Sequence, residues 1–152
     1  MSRAGRFSTL VLAICFSTAA CSQSIEERGA EAFEQHDYQT AISLARPLAD
    51  SGDGEYQFAV GYFLIAWLED PEAKTKPTHS YEDALPWIYK AVDQGIPQAA
   101  STLRVGYEFG RYSLPKDAEL ARCWGEVEDQ PELRERCYGL EAETGVGRAK
   151  LR

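Results

Sequence analysis

The chain has 152 residues, 44% of them apolar and 26% charged, with 12 glycines and 7 prolines scattered along it. That balance fits a globular domain and excludes a mostly disordered chain. With 16 basic against 24 acidic side chains the formal net charge is −8, which excludes nucleic acid as the main partner, because phosphate binding needs a basic stripe.

The first 21 residues run from Arg3 and Arg6 into the apolar stretch FSTLVLAICFSTAA and stop at Cys21. A basic start, a short apolar run and small residues before a cut are the parts of an export signal. The run of about 14 residues is too short to cross a hydrocarbon core roughly 30 Å thick. Cleavage after residue 20 leaves about 132 residues, enough for one domain and too few for two ordinary ones.

Thr18, Ala19, Ala20 and Cys21 resemble the lipobox of bacterial lipoproteins. The resemblance implies diacylation of the Cys21 thiol, cleavage before it and acylation of the new amino group. Ser22, in place of an aspartate, implies transfer to the outer membrane, on its periplasmic face. Thr18 departs from the leucine usual at that position. At about 0.8 kcal/mol per buried methylene, several acyl chains make a firm tether. The alternative is an ordinary secreted protein with a cysteine near its cut. Once Cys15 has left with the signal and Cys21 carries lipid, Cys123 and Cys137 remain in an oxidising space, where a disulfide is expected. Zinc would need four ligands, and no other Cys or His completes a familiar spacing, so neither a metal nor a cofactor is expected.

The next signals are helical and repeated. Tyr81, Ala84, Leu85, Ile88, Ala91 and Val92 fall on one face of a helix, with Ser80 and Asp83 as a start and Gly95 as a stop. Sliding the chain by 43 residues sets Tyr38 on Tyr81, Ala41 on Ala84, Gly52 on Gly95 and Val60 on Leu103; sliding it by 37 sets Ala84 on Ala121 and Trp87 on Trp124. A fixed offset of this size means stacked units. The difference places an insertion between Trp67 and Ser80. Helices are expected at about 24–36, 38–51, 54–68, 80–94, 97–109, 116–128 and 131–142, with Pro47 and Pro86 bending or shortening theirs. No period-two alternation suggests a sheet. Ala41, Ala84 and Ala121 allow close helix approach, and Trp87 and Trp124 fill the next layer.

The runs GDGEYQFAVGYF, SYEDALPWIYKAVDQG, and Tyr107 through Gly110 to PKDAELARCW resemble Sel-one-like repeats, relatives of tetratricopeptide repeats built from helix hairpins of about 36 residues. The family pattern is met at Gly61, Ala84, Trp87, Ala91 and Gly95, and again at Leu103, Tyr107, Gly110, Asp117, Ala121 and Trp124. The resemblance covers about residues 29–128. Arg104 departs from it where the family has a second glycine, and Trp67 where a glycine normally closes the first helix. The implied fold is all-α, a short solenoid of stacked helix hairpins. The expected organisation is a signal over 1–20, a tether over 21–28, a repeat domain over 29–143 and a flexible tail over 144–152.

Catalytic chemistry finds little to stand on. His36 and His79 read as turn or cap residues. Adjacent carboxylates such as Glu26 with Glu27, or Glu82 with Asp83, read as a solvated acidic face. The G-x-G of Gly145 and Gly147 has no preceding strand and reads as chance, and Arg148, Lys150 and Arg152 read as a solvated tail. No catalytic residue is therefore named. Tyr81, Trp87, Tyr107 and Trp124 sit on repeat positions and read as core. Trp67, Tyr112 and the insertion fall outside the pattern, and these residue types are over-represented at binding hot spots. They are the candidate partner-binding residues. Hairpin arrays present curved surfaces suited to recognition, so the expected function is an outer-membrane-tethered adaptor for an envelope protein or peptide, attached to the membrane through lipid at Cys21. The alternative, implied by some secreted members of the family, is a periplasmic hydrolase acting on cell-wall or β-lactam-like substrates.

Overall fold

The computed structural model describes residues 24–148. The signal, Cys21, Lys150 and Arg152 lie outside the described residues. Seven α-helices follow in chain order: α1 (Ile25–Glu34), α2 (Tyr38–Asp50), α3 (Gly54–Glu69), α4 (Tyr81–Asp93), α5 (Pro97–Phe109), α6 (Ala118–Asp129) and α7 (Arg134–Thr144), the last preceded by a single 3-10 turn at Pro131–Leu133. Each helix packs on its neighbours in sequence. The described residues contain no strand, and the all-α hairpin architecture is as expected.

Local chemistry sets the boundaries. At α1, Glu27 N–H donates to Ser24 Oγ (3.1 Å) while Ser24 N–H donates to Glu27 Oε2 (2.9 Å), a reciprocal cap. Asp53 and Asp117 accept the first free amides of α3 and α6. Gly110 ends α5 at φ +67, a left-handed position that a side chain would strain. Pro47 and Pro86 both lie inside helices that continue past them, to Asp50 and Asp93.

The hairpins are α1–α2, α3–α4 and α5–α6, with α7 closing the stack. Ala41 and Ala84 are fully buried and Ala121 nearly so. Ala45, Ala49, Val60 and Trp87 form the seam between the first two hairpins, and Arg46 and Lys90 cover the Trp87 ring at 4.6 and 4.2 Å from its centroid. Leu85, Ile88, Leu103, Tyr107, Leu120 and Trp124 belong to the larger core that follows.

One exchange explains how Arg104 is accommodated. In α3–α4, Gly61 faces Ile88 so closely that a Cβ would stand 2.7 Å from Ile88 Cδ1. The corresponding positions in α5–α6 hold Arg104 and Gly125, and a Cβ on Gly125 would stand 3.0 Å from Arg104 Cδ. Here the small partner is on the second helix instead of the first, and the hairpin still closes. The Arg104 guanidinium then reaches Glu128 (2.7 Å) and Glu108 (2.8 Å).

Candidate interaction surface

The insertion between α3 and α4 is used internally, which corrects the expectation for Trp67. Trp67 is 9% exposed, its Nε1–H donates to Thr75 O at 2.6 Å, and its ring packs on His79 at 5.0 Å. His79 Nε2 in turn lies 2.8 Å from Leu64 O. Lys74 N–H donates to His36 O (3.1 Å), and Lys74 Nζ pairs with Asp37 (3.4 Å). The segment therefore fastens the α1–α2 turn to the end of α3, and Trp67 has no face left for a partner. At the same junction Asp70 accepts from Tyr38 Oη and contacts His36 Nδ1, both at 2.6 Å. Those two bonds, led by that from Tyr38, hold the Asp70 carboxyl down at about 2, while burial and Asp70 push the Tyr38 hydroxyl up to about 12. His36 Nε2 faces Glu72 at 3.6 Å, so both ring nitrogens of this turn histidine are engaged.

Tyr112 is half-buried rather than presented. It stands at φ +59 in the α5–α6 loop, its ring against Tyr81 (5.7 Å) and beneath the Arg111 guanidinium (5.1 Å). Arg111 holds Glu69 at 2.7 Å. Leu114 tucks back over Gly106, where a Cβ would stand 2.6 Å from its Cδ1. The cluster fixes this loop to the end of α3.

A buried carboxylate that sequence reasoning missed lies under α7. Glu141 is 0% exposed. Its Oε1 accepts from Tyr89 Oη (2.8 Å), Tyr107 Oη (2.8 Å) and Trp124 Nε1 (3.1 Å), and its Oε2 accepts from Arg148 N (3.0 Å). Burial pushes its carboxyl up, opposed by these four donors. Gly145 caps α7 at φ +67, and Gly147, at φ +58, passes so close to Tyr107 Oη and Glu141 that no Cβ fits. The G-x-G is thus a turn built around Glu141, not chance. Residues 144–148 are correspondingly docked rather than loose: Arg148 pairs with both Asp93 oxygens (3.0 and 3.1 Å) and covers the Tyr138 ring at 4.5 Å. The disulfide between Cys123 and Cys137, Cα atoms 5.7 Å apart, ties α7 to α6 as expected. With both oxygens hydrogen-bonded and the side chain fully buried, Glu141 clasps α4, α5, α6 and the turn after α7 together.

Exposed apolar side chains lie at the end of α5, where Phe109 is 62% exposed, and around a cleft in the first three helices. Between α1 and α3, with α2 as floor, lies a cleft of about 370 Å³, lined mainly by Ile25, Gly29, Ala30, Phe33, Ala41, Ala45, Tyr56, Ala59 and Phe63. That volume lies in the range of small-ligand and side-chain pockets. Its depth comes from the small residues: a Cβ on Gly29 would meet nothing within 4 Å. One end is bounded by Tyr56 Oη donating to Glu26 Oε1 (3.3 Å), the other by Phe33 against Phe63 (5.1 Å). Glu26, Glu34 and Glu55 also line the cleft. Ile25, at its mouth, is 42% exposed, and Tyr62, stacked on Phe58 and tilted against Phe33, is 44% exposed. Sequence reasoning missed this site because alanines and a glycine at helical spacing read as packing, and a missing neighbour leaves no mark in a periodic pattern.

Among the described residues no group of three or more His, Cys, Asp or Glu side chains could hold a metal ion, and no helix is long and apolar enough to cross a membrane. Compared with family models, curated proteins and solved structures, the chain matches none.

Proposed function

We propose that the protein is a lipid-tethered adaptor of the bacterial envelope, held to the periplasmic face of the outer membrane through Cys21 and binding another envelope protein. The lipobox-like Thr18–Cys21 supports the tether, and the resemblance to Sel-one-like repeats supports recognition as the activity. The observation that carries the binding half is the α1–α3 cleft, an apolar concavity with the exposed Ile25 and Tyr62 beside it. A cleft of that composition stabilises a partner's apolar side chain by removing it from water, roughly 1.5–3 kcal/mol for one large side chain.

Site-specific photo-crosslinking in intact cells tests the binding half. A crosslinker at Ala30 or Ala59 should capture one reproducible neighbour, and one at Arg122, on α6, should not. Absence of any reproducible adduct from all positions would remove the adaptor. Fatty-acid labelling that persists in Cys21→Ser would remove the tether.

A further inference from the structure

The cleft carries more information than its apolarity, because its charges and its length restrict what can sit there. Of the twelve lining residues three are glutamates and none is cationic. Glu26 and Glu34 lie near opposite ends of α1, eight residues apart, or about 12 Å along a helix. Glu55, in the first turn of α3, joins Glu26 at the same end, where Tyr56 bridges to Glu26. The floor between them is alanine and glycine. An extended chain can match that distance between glutamates while inserting alternate side chains into the cleft from above. In an extended chain residues i and i+4 lie on one face about 13 Å apart, with i+2 between them on the same face.

We propose that the α1–α3 cleft receives an extended peptide segment of a partner in which one apolar side chain is flanked, two residues away on each side, by Lys or Arg. The apolar side chain fills the space over Gly29, and the two cations meet Glu26 with Glu55 at one mouth and Glu34 at the other. Charge complementarity selects this occupant over an acyl chain, which has no use for three carboxylates, and over a second copy of a chain with net charge −8. The proposal rests on the adaptor assignment and gives its partner a chemistry.

The full chain in lipid nanodiscs is titrated with two fluorescently labelled peptides, G-K-S-F-S-K-G and G-E-S-F-S-E-G, and anisotropy is read. The cationic peptide should saturate, and the acidic one should bind at least tenfold more weakly. Gly29→Phe fills the cleft where a Cβ meets nothing, so it should weaken the cationic peptide at least tenfold with unchanged helicity and melting. Glu34→Lys, a rim change independent of packing, should weaken the cationic peptide and strengthen the acidic one. Equal binding of the two peptides, or cationic binding untouched by both variants, overturns the proposal. So does cis-parinaric acid fluorescence that rises with the wild type, but not with Gly29→Phe, while the peptide fails to bind, since the occupant is then an acyl chain. Loss of a dimer in Gly29→Phe overturns it in favour of a second copy. A peptide that fails while crosslinks from Ala30 still capture one neighbour defeats this proposal and leaves the adaptor standing.

Discussion

Replacing Glu141 separates a clasp from an accident of packing. In Glu141→Leu the two hydroxyls of Tyr89 and Tyr107 can turn toward each other, but Trp124 Nε1–H and the Arg148 amide lose their acceptor. Each stranded buried donor costs about 1–3 kcal/mol, so the loss is about 3 kcal/mol or more after the relieved burial of the carboxylate is counted. In Glu141→Gln the amide oxygen must face the three side-chain donors, so its NH₂ points at the Arg148 amide, donor against donor, at a cost of about 1–2 kcal/mol. The expected order is wild type, then Gln, then Leu, read by urea unfolding with tryptophan fluorescence. Each kcal/mol should move the melting point by roughly 3–5 °C in a chain of this size. The pH dependence supplies a second readout. Burial raises the folded carboxyl above its ordinary 4.5, so between those two values the folded state holds a proton that the unfolded state releases. Stability from this group is therefore full below 4.5 and falls as pH rises through the folded value. The difference between wild type and Glu141→Gln should shrink in the same direction. A Leu variant as stable as the wild type would refute the reasoning and make Glu141 a replaceable buried polar group.

Other perturbations follow from the same geometry. Reducing the Cys123–Cys137 bridge, which closes a separation of 14 residues, should lower stability by about 3 kcal/mol; an unchanged urea midpoint in dithiothreitol would contradict this. Asp70 is held low, at about 2 against an ordinary 3.8, so its contribution is full above 3.8 and is lost as pH falls toward 2. Acid titrations of wild type and Asp70→Asn should therefore converge at the low end, and parallel curves would exclude the Tyr38–Asp70–His36 contact as their source. Gly61→Ala should destabilise by about 1–3 kcal/mol through overpacking against fully buried Ile88. Ile88→Val, which removes the clashing Cδ1, should restore part of that loss in thermal melts, and simple additivity would argue against the contact.

The elements were legible because their causes are local. Ser80 with Asp83, Gly95 and the face from Tyr81 to Val92 fix α4 within a residue at each end, and the same signals recur along the chain. The site was not legible, for two physical reasons. Trp67 and Tyr112 looked free because they break a pattern, yet the insertion gives Trp67 a partner 8 residues away and the start of α4 gives Tyr112 one 31 residues away. Glu141 was hidden in a helix with few apolar residues. Its one clue was the spacing of four from Cys137, which puts the carboxylate on the face that the disulfide turns inward. The α1–α3 cleft depends on what is not there, and a single sequence records only what is.

The contrast between Gly61 with Ile88 and Arg104 with Gly125 bears on how the two hairpins could be recombined. Bulk is set for the pair, not for either position, so neither hairpin can take one helix of the other without loss. A recombinant joining α3 to α6 would set glycine opposite glycine and leave a hole, and one joining α5 to α4 would force arginine into isoleucine. A chimera of these hairpins would therefore keep its close packing only where both helices of a pair are exchanged together.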